Sequence, residues 1–252
     1  MPENVVIRIT ERDLCWPLSD SSYNSAPHYF IKRQGHDTQI TVDPYPGYAH
    51  SAALVYQELC TVSTKFPLPV PIYVYLPVFE AISRTNGVCY NDMSWKGNTD
   101  ERVWDRATII LHGKRIPLHP GMTRYLISHE YGHAVQRFLE IAEGIKDKPC
   151  YNNPFINKYA ELRKLAPAMP GDYRTKWHLN PQEVFANDFR ILVMKKEYEF
   201  WPHNTVPRPT TIPEIVNWWE EKVEYALTVA KEQTQKEVEN ATSSNSSVEQ
   251  VH

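Results

Sequence analysis

Short β-branched runs alternate along the chain with longer stretches whose apolar residues recur every three or four positions. Val5–Ile9, Ile72–Leu76 and Arg106–His112 are of the first kind and predict strands; Gly87–Tyr90 is a shorter run of the same type. Ala49–Lys65 contains neither Pro nor Gly and carries Ala53, Leu54, Leu59 and Val62, which predicts a helix ended by Pro67, Pro69 and Pro71. Helices are also predicted around Met122–Ala142, over Phe155–Leu165, over Glu183–Met194 and from Pro213 to about Glu239. Trp16–Pro46 reads as loop, with Gln39–Val42 as a short strand inside it. Met93–Asp105, polar with two tryptophans, reads as a loop or hairpin tip, and Asn240–His252, rich in Ser, Thr, Asn and Gln, as a disordered tail. No internal repeat is present.

The pattern predicts an α+β protein with a small mixed sheet and a C-terminal helical half. Residues 1–105 form an N-terminal elaboration of the same domain, and 106–239 the core. At 252 residues the chain is long enough to bury a substantial core, and 23% charged and 42% hydrophobic residues are ordinary for a globular protein. A net charge of -3 gives no reason to expect nucleic acid as a partner. Twenty prolines against nine glycines imply stiff connections. No apolar run is long enough to span a membrane, so no membrane partner is expected. The first ten residues lack the basic start and long apolar run of a signal peptide. Cytoplasmic localisation is therefore the expectation, with virion association or non-classical export as alternatives. Cys15, Cys60, Cys89 and Cys150 form no C-x-x-C pair, and free thiols are the default reading, with two disulfides left open.

Chemistry concentrates at His129-Glu130-Tyr131-Gly132-His133. Residues four apart lie one above the other on a helix, so two imidazoles at this spacing can face one metal ion. Glu130 sits beside them, placed to take a proton from water rather than to bind the metal. Zinc suits these donors. Leu126, Phe138 and Ala142 fall in register with the two histidines, which puts the histidines on the inner face of a partly buried helix. The plainer alternative is a helix with two core or surface histidines and an accidental glutamate.

A catalytic zinc site needs a third protein donor. Glu140 is about 10 Å along the axis from His133, too far to share the ion. Glu183 is the better candidate. Asn180 and Pro181 are good cap and first-turn residues, and Val184, Phe185 and Phe189 draw that helix into the core. A carboxylate drawn in with them is costly unless a cation neutralises it. The alternative is an acid that only complements the helix dipole. The histidines at 28, 36 and 50 carry no partner at ligand spacing, and His112 and His119 lie near the motif in sequence, which is weak evidence of geometry.

His129–Val135 (His-Glu-Tyr-Gly-His-Ala-Val), followed by Glu183–Leu192 (Glu-Val-Phe-Ala-Asn-Asp-Phe-Arg-Ile-Leu), resembles the gluzincin metallopeptidases, and among them the lethal factor and Pro-Pro endopeptidase group. The likeness covers about Thr108–Met194. It implies a zincin-like domain in which His129, His133 and Glu183 bind Zn2+ and Glu130 is the general base. Family members stabilise the oxyanion with a tyrosine just upstream of the third ligand. Lys176 stands at that offset here, leaving Tyr173, slightly favoured, and His178 as donors. The acid that often follows one turn after the ligand glutamate is Asn187 here. Its carbonyl oxygen, or Asp188 next door, is expected to accept from a ligand imidazole.

The function expected is hydrolysis of a peptide or protein substrate by a zinc-activated water. Two rivals stand beside it. One is a catalytically inactive zinc protein, structural or associated with a virion or toxin; the other is a regulatory peptidase of phage or mobile-element origin with a single protein substrate. Arg106–His112, just before the active-site helix, is equally a rim strand that pairs with an extended substrate or a central core strand.

Overall fold

The computed structural model describes residues 5–10, 52–70, 72–77, 87–95, 102–111, 119–145, 153–167, 177–196 and 201–246. Four strands form one mixed sheet: β1 (Val5–Thr10), β2 (Ile72–Pro77), β3 (Gly87–Trp95) and β4 (Arg102–Leu111), in the order β1-β2-β4-β3. β1, β2 and β4 are parallel, while β3 pairs antiparallel with β4 and forms an edge. The helices are α1 (Ala52–Lys65), α2 (Pro120–Ala142), α3 (Pro154–Leu162), α4 (Pro181–Leu192) and α5 (Pro213–Ser246). The architecture is α+β, as the pattern predicts. Because β1 and β2 pair into the same sheet as β4, the segments on either side of residue 105 belong to one sheet.

The strands show the period of two. Ala107, Ile109 and Leu111 of β4 join Val74 of β2 in the main core, while Ile110 faces the opposite side with Tyr73, Val88 and Tyr90. Over the core face lie Val55, Leu59 and Val62 of α1 and Leu126, Ile127 and Val135 of α2. Phe185 and Phe189 of α4 and Trp219 of α5 close the core as an aromatic cluster, the Phe185 and Trp219 rings 4.8 Å apart.

Several expectations shift. Met93–Asp105 is not all loop: β3 runs on to Trp95 and β4 starts at Arg102, with a register shift between Asp92 and Met93 that lets the strands twist past the irregular residues. β4 lies between β2 and β3, so it is central, and among the described residues β1 and β3 are the edges, with β3 the one beside the histidine helix; hydrophobic period alone carries no edge information. α2 starts two residues earlier than Met122, at Pro120, whose missing N–H costs nothing at a first helical position, and His119 caps that helix by accepting from the Gly121 N–H at 3.1 Å. α5 continues past Glu239 to Ser246, into the stretch expected to be disordered, because no Pro or Gly interrupts it there. Gln39–Val42, Cys15, Cys150, His28, His36, His50 and His112 lie outside the described residues; Cys60 is a free thiol. Among the described residues no helix is long and apolar enough to cross a membrane.

α2 and α4 touch at Gly132. A Cβ built there would stand 2.9 Å from Ala186 Cα and 3.1 Å from Ala186 O, both backbone atoms of α4. Replacing a mid-helix glycine with alanine normally stabilises by about 0.5–1 kcal/mol. Here overpacking against backbone outweighs that gain. Gly132→Ala is expected to destabilise the protein by about 1–3 kcal/mol, read as a lower urea midpoint at unchanged m-value. A midpoint at or above wild type would contradict the tight crossing.

Candidate metal centre

The crossing of α2 and α4 determines what the polar residues beside it meet. His129 and His133 project from one face of α2, and Glu183 from the first turn of α4. The start of α4 is fixed locally: Asn180 caps it by accepting from the Gln182 N–H at 3.0 Å, and Pro181 takes the first position. Glu183 Oε2 lies 3.1 Å from His129 Nε2 and 3.8 Å from His133 Nε2. One donor atom from each of the three residues falls within 4.8 Å of the others, close enough to hold one metal ion. No other group of three or more His, Cys, Asp and Glu among the described residues does so. The side chains of His129, His133 and Glu183 are 5%, 19% and 17% exposed, so the cluster is walled on one side and open on the other.

Charge in this cluster is mutually supported. Burial works against ionised Glu183, but His133 and His129 outweigh it and hold the carboxyl far below its usual range. Burial likewise opposes a charged His133, and Glu183 reverses the balance, raising its pKa above the ordinary value. Glu130 is buried, and the support it receives is weaker. Desolvation lifts its pKa despite the neighbouring His129 and His133, so its carboxylate is a stronger base than an exposed one. The lack of a side chain at Gly87, the first residue of β3, makes room for it: a Cβ there would stand 2.7 Å from Glu130 Oε1. Nearby, Asn91 of the same strand donates to the His133 carbonyl at 3.4 Å.

The residues expected behind the ligands are bonded elsewhere. Asn187 does not bond to either ligand imidazole, His129 or His133. Its Oδ1 accepts from the Tyr125 hydroxyl at 3.1 Å, and its Nδ2 donates to the Glu183 carbonyl at 3.0 Å and to His203 Nε2 at 2.9 Å. Asp188 points to another face of α4, about 100° around the helix from its neighbour. There it is fully buried against Arg163 Nε at 2.8 Å and the Tyr159 hydroxyl. His129 Nδ1 is buried and has no hydrogen-bond partner among the described residues. Tyr173 lies outside those residues. His178 is exposed in a short 3-10 turn, Trp177–Leu179, and its backbone carbonyl, 2.7 Å from His203 Nδ1, is engaged. Glu140 belongs to a separate buried network, accepting from Gln136 at 2.7 Å, Asn153 at 2.8 Å and Arg137 at 3.2 Å.

The structure adds residues that spacing does not single out. The Tyr125 ring stacks on His129 with centroids 5.8 Å apart, and Arg190 lies over that ring at 4.5 Å. The turn before His129 is the only sequence hint of Tyr125. Burial keeps the Tyr125 phenol protonated, its pKa pushed up to about 12 by desolvation that outweighs the opposing Arg190 charge and Asn187 hydrogen bond. His203, pushed down to about 4 chiefly by burial, is a neutral imidazole at pH 7. Comparison with protein-family models, curated proteins and solved structures found no match to this chain.

With metal chelated, the His133–Glu183 pair gives a defined pH dependence. Glu183 is depressed below 4.5, so its contribution is present above that pH and lost as pH falls through the folded value. His133 is raised above 6.5, so its contribution is complete below that pH and lost as pH rises through the folded value. The melting-temperature difference between the chelated protein and its Glu183→Gln variant is therefore expected to be largest between pH 4.5 and 6.5. A difference flat from pH 4 to 9 would rule the pair out.

Proposed function

We propose that the protein is a zinc-dependent metallopeptidase with a zincin-like domain, in which His129, His133 and Glu183 hold the metal and Glu130 is the general base. The observation that carries this reading is the convergence of two imidazoles and one carboxylate within 4.8 Å, with a second, buried carboxylate, Glu130, beside His129 on the same helix. Two nitrogens and one oxygen suit Zn2+ and leave a coordination position for water or substrate. Bound there, zinc would acidify a water and polarise the carbonyl under attack. Glu130 takes the proton from that water and delivers it to the leaving amine, and its raised pKa suits both halves of the transfer. An extended peptide is the fitting substrate, because β3 is a sheet edge whose Gly87 touches the base and whose Asn91 touches His133. The oxyanion donor, Tyr173 or His178 by sequence, belongs to the same proposal.

A structural zinc site needs no base, so Glu130 separates this reading from an inactive zinc protein. Glu130→Gln is expected to keep one zinc per chain and to lower kcat by at least about 100-fold on a peptide the wild type cleaves. Wild-type protein that is loaded with zinc and cleaves nothing in a broad peptide library would sink the peptidase reading.

Glu183→Ala tests the ligand set separately. Loss of a ligand is expected to weaken zinc binding by at least about tenfold, read by competition with a chelating dye. Unchanged affinity would remove Glu183 from the site.

A further inference from the structure

Behind the metal cluster sits a fully buried histidine to which the metallopeptidase reading gives no task. His203 is held on every side. Its Nδ1 lies 2.7 Å from the His178 carbonyl oxygen, which can only accept, so Nδ1 carries the hydrogen. Its Nε2 is then free to accept from Asn187 Nδ2 at 2.9 Å. Both ring nitrogens are thereby engaged, which excludes His203 as a fourth metal ligand in this arrangement. One face of the ring stacks on Trp177, with centroids 5.1 Å apart and planes 13° from parallel, and Trp201 meets it at 63° from parallel.

Two routes lead from this ring to the same metal ligand. Through the stack, Trp177 reaches His129, with ring centroids 6.2 Å apart. Through the amide, Asn187 accepts the Tyr125 hydroxyl, and Tyr125 stacks on His129. Among the described residues the Trp177–Leu179 turn is tied by the Asn180 N–H to Trp177 carbonyl bond at 3.1 Å and by the His203 bond to residue 178. A three-residue turn is too short to hold its position by its own hydrogen bonds, so what packs against it matters.

We propose that His203 is a positioning residue that fixes the Trp177–Leu179 turn as the wall of the peptide cleft beside His129. It governs where the substrate lies and leaves metal binding alone. This rests on the metallopeptidase reading. The requirement is specific: a flat ring for Trp177, a donor for the His178 carbonyl and an acceptor for Asn187, all within one neutral side chain.

Three variants test it. His203→Phe keeps a ring against Trp177 and removes both hydrogen bonds. His203→Gln supplies a donor and an acceptor without the ring. Trp177→Leu removes the other half of the stack at a partly exposed position, where folding is not at stake. The readouts are zinc stoichiometry, kcat and KM on a fluorogenic peptide the wild type cleaves, and acrylamide quenching of Trp177, taken as the difference from Trp177→Phe in each background. Both His203→Phe and Trp177→Leu are expected to retain one zinc and to lose about 10- to 100-fold in kcat/KM, since small displacements of a positioning wall cost that much. His203→Gln recovers part of the loss, and Trp177 becomes more quenchable in His203→Phe. Activity within about twofold of wild type in Trp177→Leu overturns the proposal, whether or not His203→Phe folds. Zinc loss parallel to activity loss also overturns it, by assigning His203 to the ligands. If the wild type cleaves no peptide, the metallopeptidase reading fails by itself, while unchanged Trp177 quenching in His203→Phe rejects the tie between ring and turn.

Discussion

Backbone contact between α2 and α4 at Gly132 and Ala186 is the constraint on which the candidate site depends. Gly132 lies between His129 and His133, and Ala186 lies three residues after Glu183. The two helices approach so closely there that no side chain fits between them. That approach brings a carboxyl from one helix within 3.1 Å of an imidazole on the other. Side chains as short as His and Glu do not meet across ordinary helix pairs 8–10 Å apart without directing their ends at one point. The glycine therefore acts on chemistry through distance, although it carries no functional group.

Buried charge is costly, and α4 carries it on more than one face. Glu183 is offset by the histidines, and Asp188 by Arg163 with the Tyr159 hydroxyl. Arg163 also donates to the Pro207 carbonyl at 2.7 Å, tying α3 to the connection that follows His203. On α2, Glu140 takes three donors at once. Exchanging such groups for apolar ones need not destabilise a protein, whereas removing one partner alone does. Here Asp188 is bound on one face of α4 while Glu183 meets the histidines of α2 on another, so both contacts are made in one orientation of the helix.

The sequence was legible where the signal was local. His129, Glu130 and His133 share one helical turn, and their geometry follows from 3.6 residues per turn. Glu183 was found through its cap and first turn, because Asn180 and Pro181 mark where a helix begins. The strand and helix order was visible for the same reason. Pairings across the fold were not. Whether β3 or β4 forms the edge depends on partners, and period carries no such information. The family resemblance implies Asn187 behind a ligand imidazole, but Tyr125 and His203, distant in sequence, claim its amide. Asp188 is withdrawn by Arg163 and Tyr159 in the same way.

Local and non-local residues thus divide the work. The candidate metal ligands and the proposed base come from two contiguous stretches, because coordination needs fixed spacing that a helix supplies. The surroundings come from segments far apart: Gly87 from an edge strand, Trp177 from a turn, His203 from beyond α4. A peptide lying along β3 would meet both sets together. The strand cannot move toward α2 without striking Glu130, so the position of the edge and the slot for the base are one constraint seen from two sides. In this reading the rigidity of the sheet, and not the motif alone, determines how closely a bound peptide bond can approach the base.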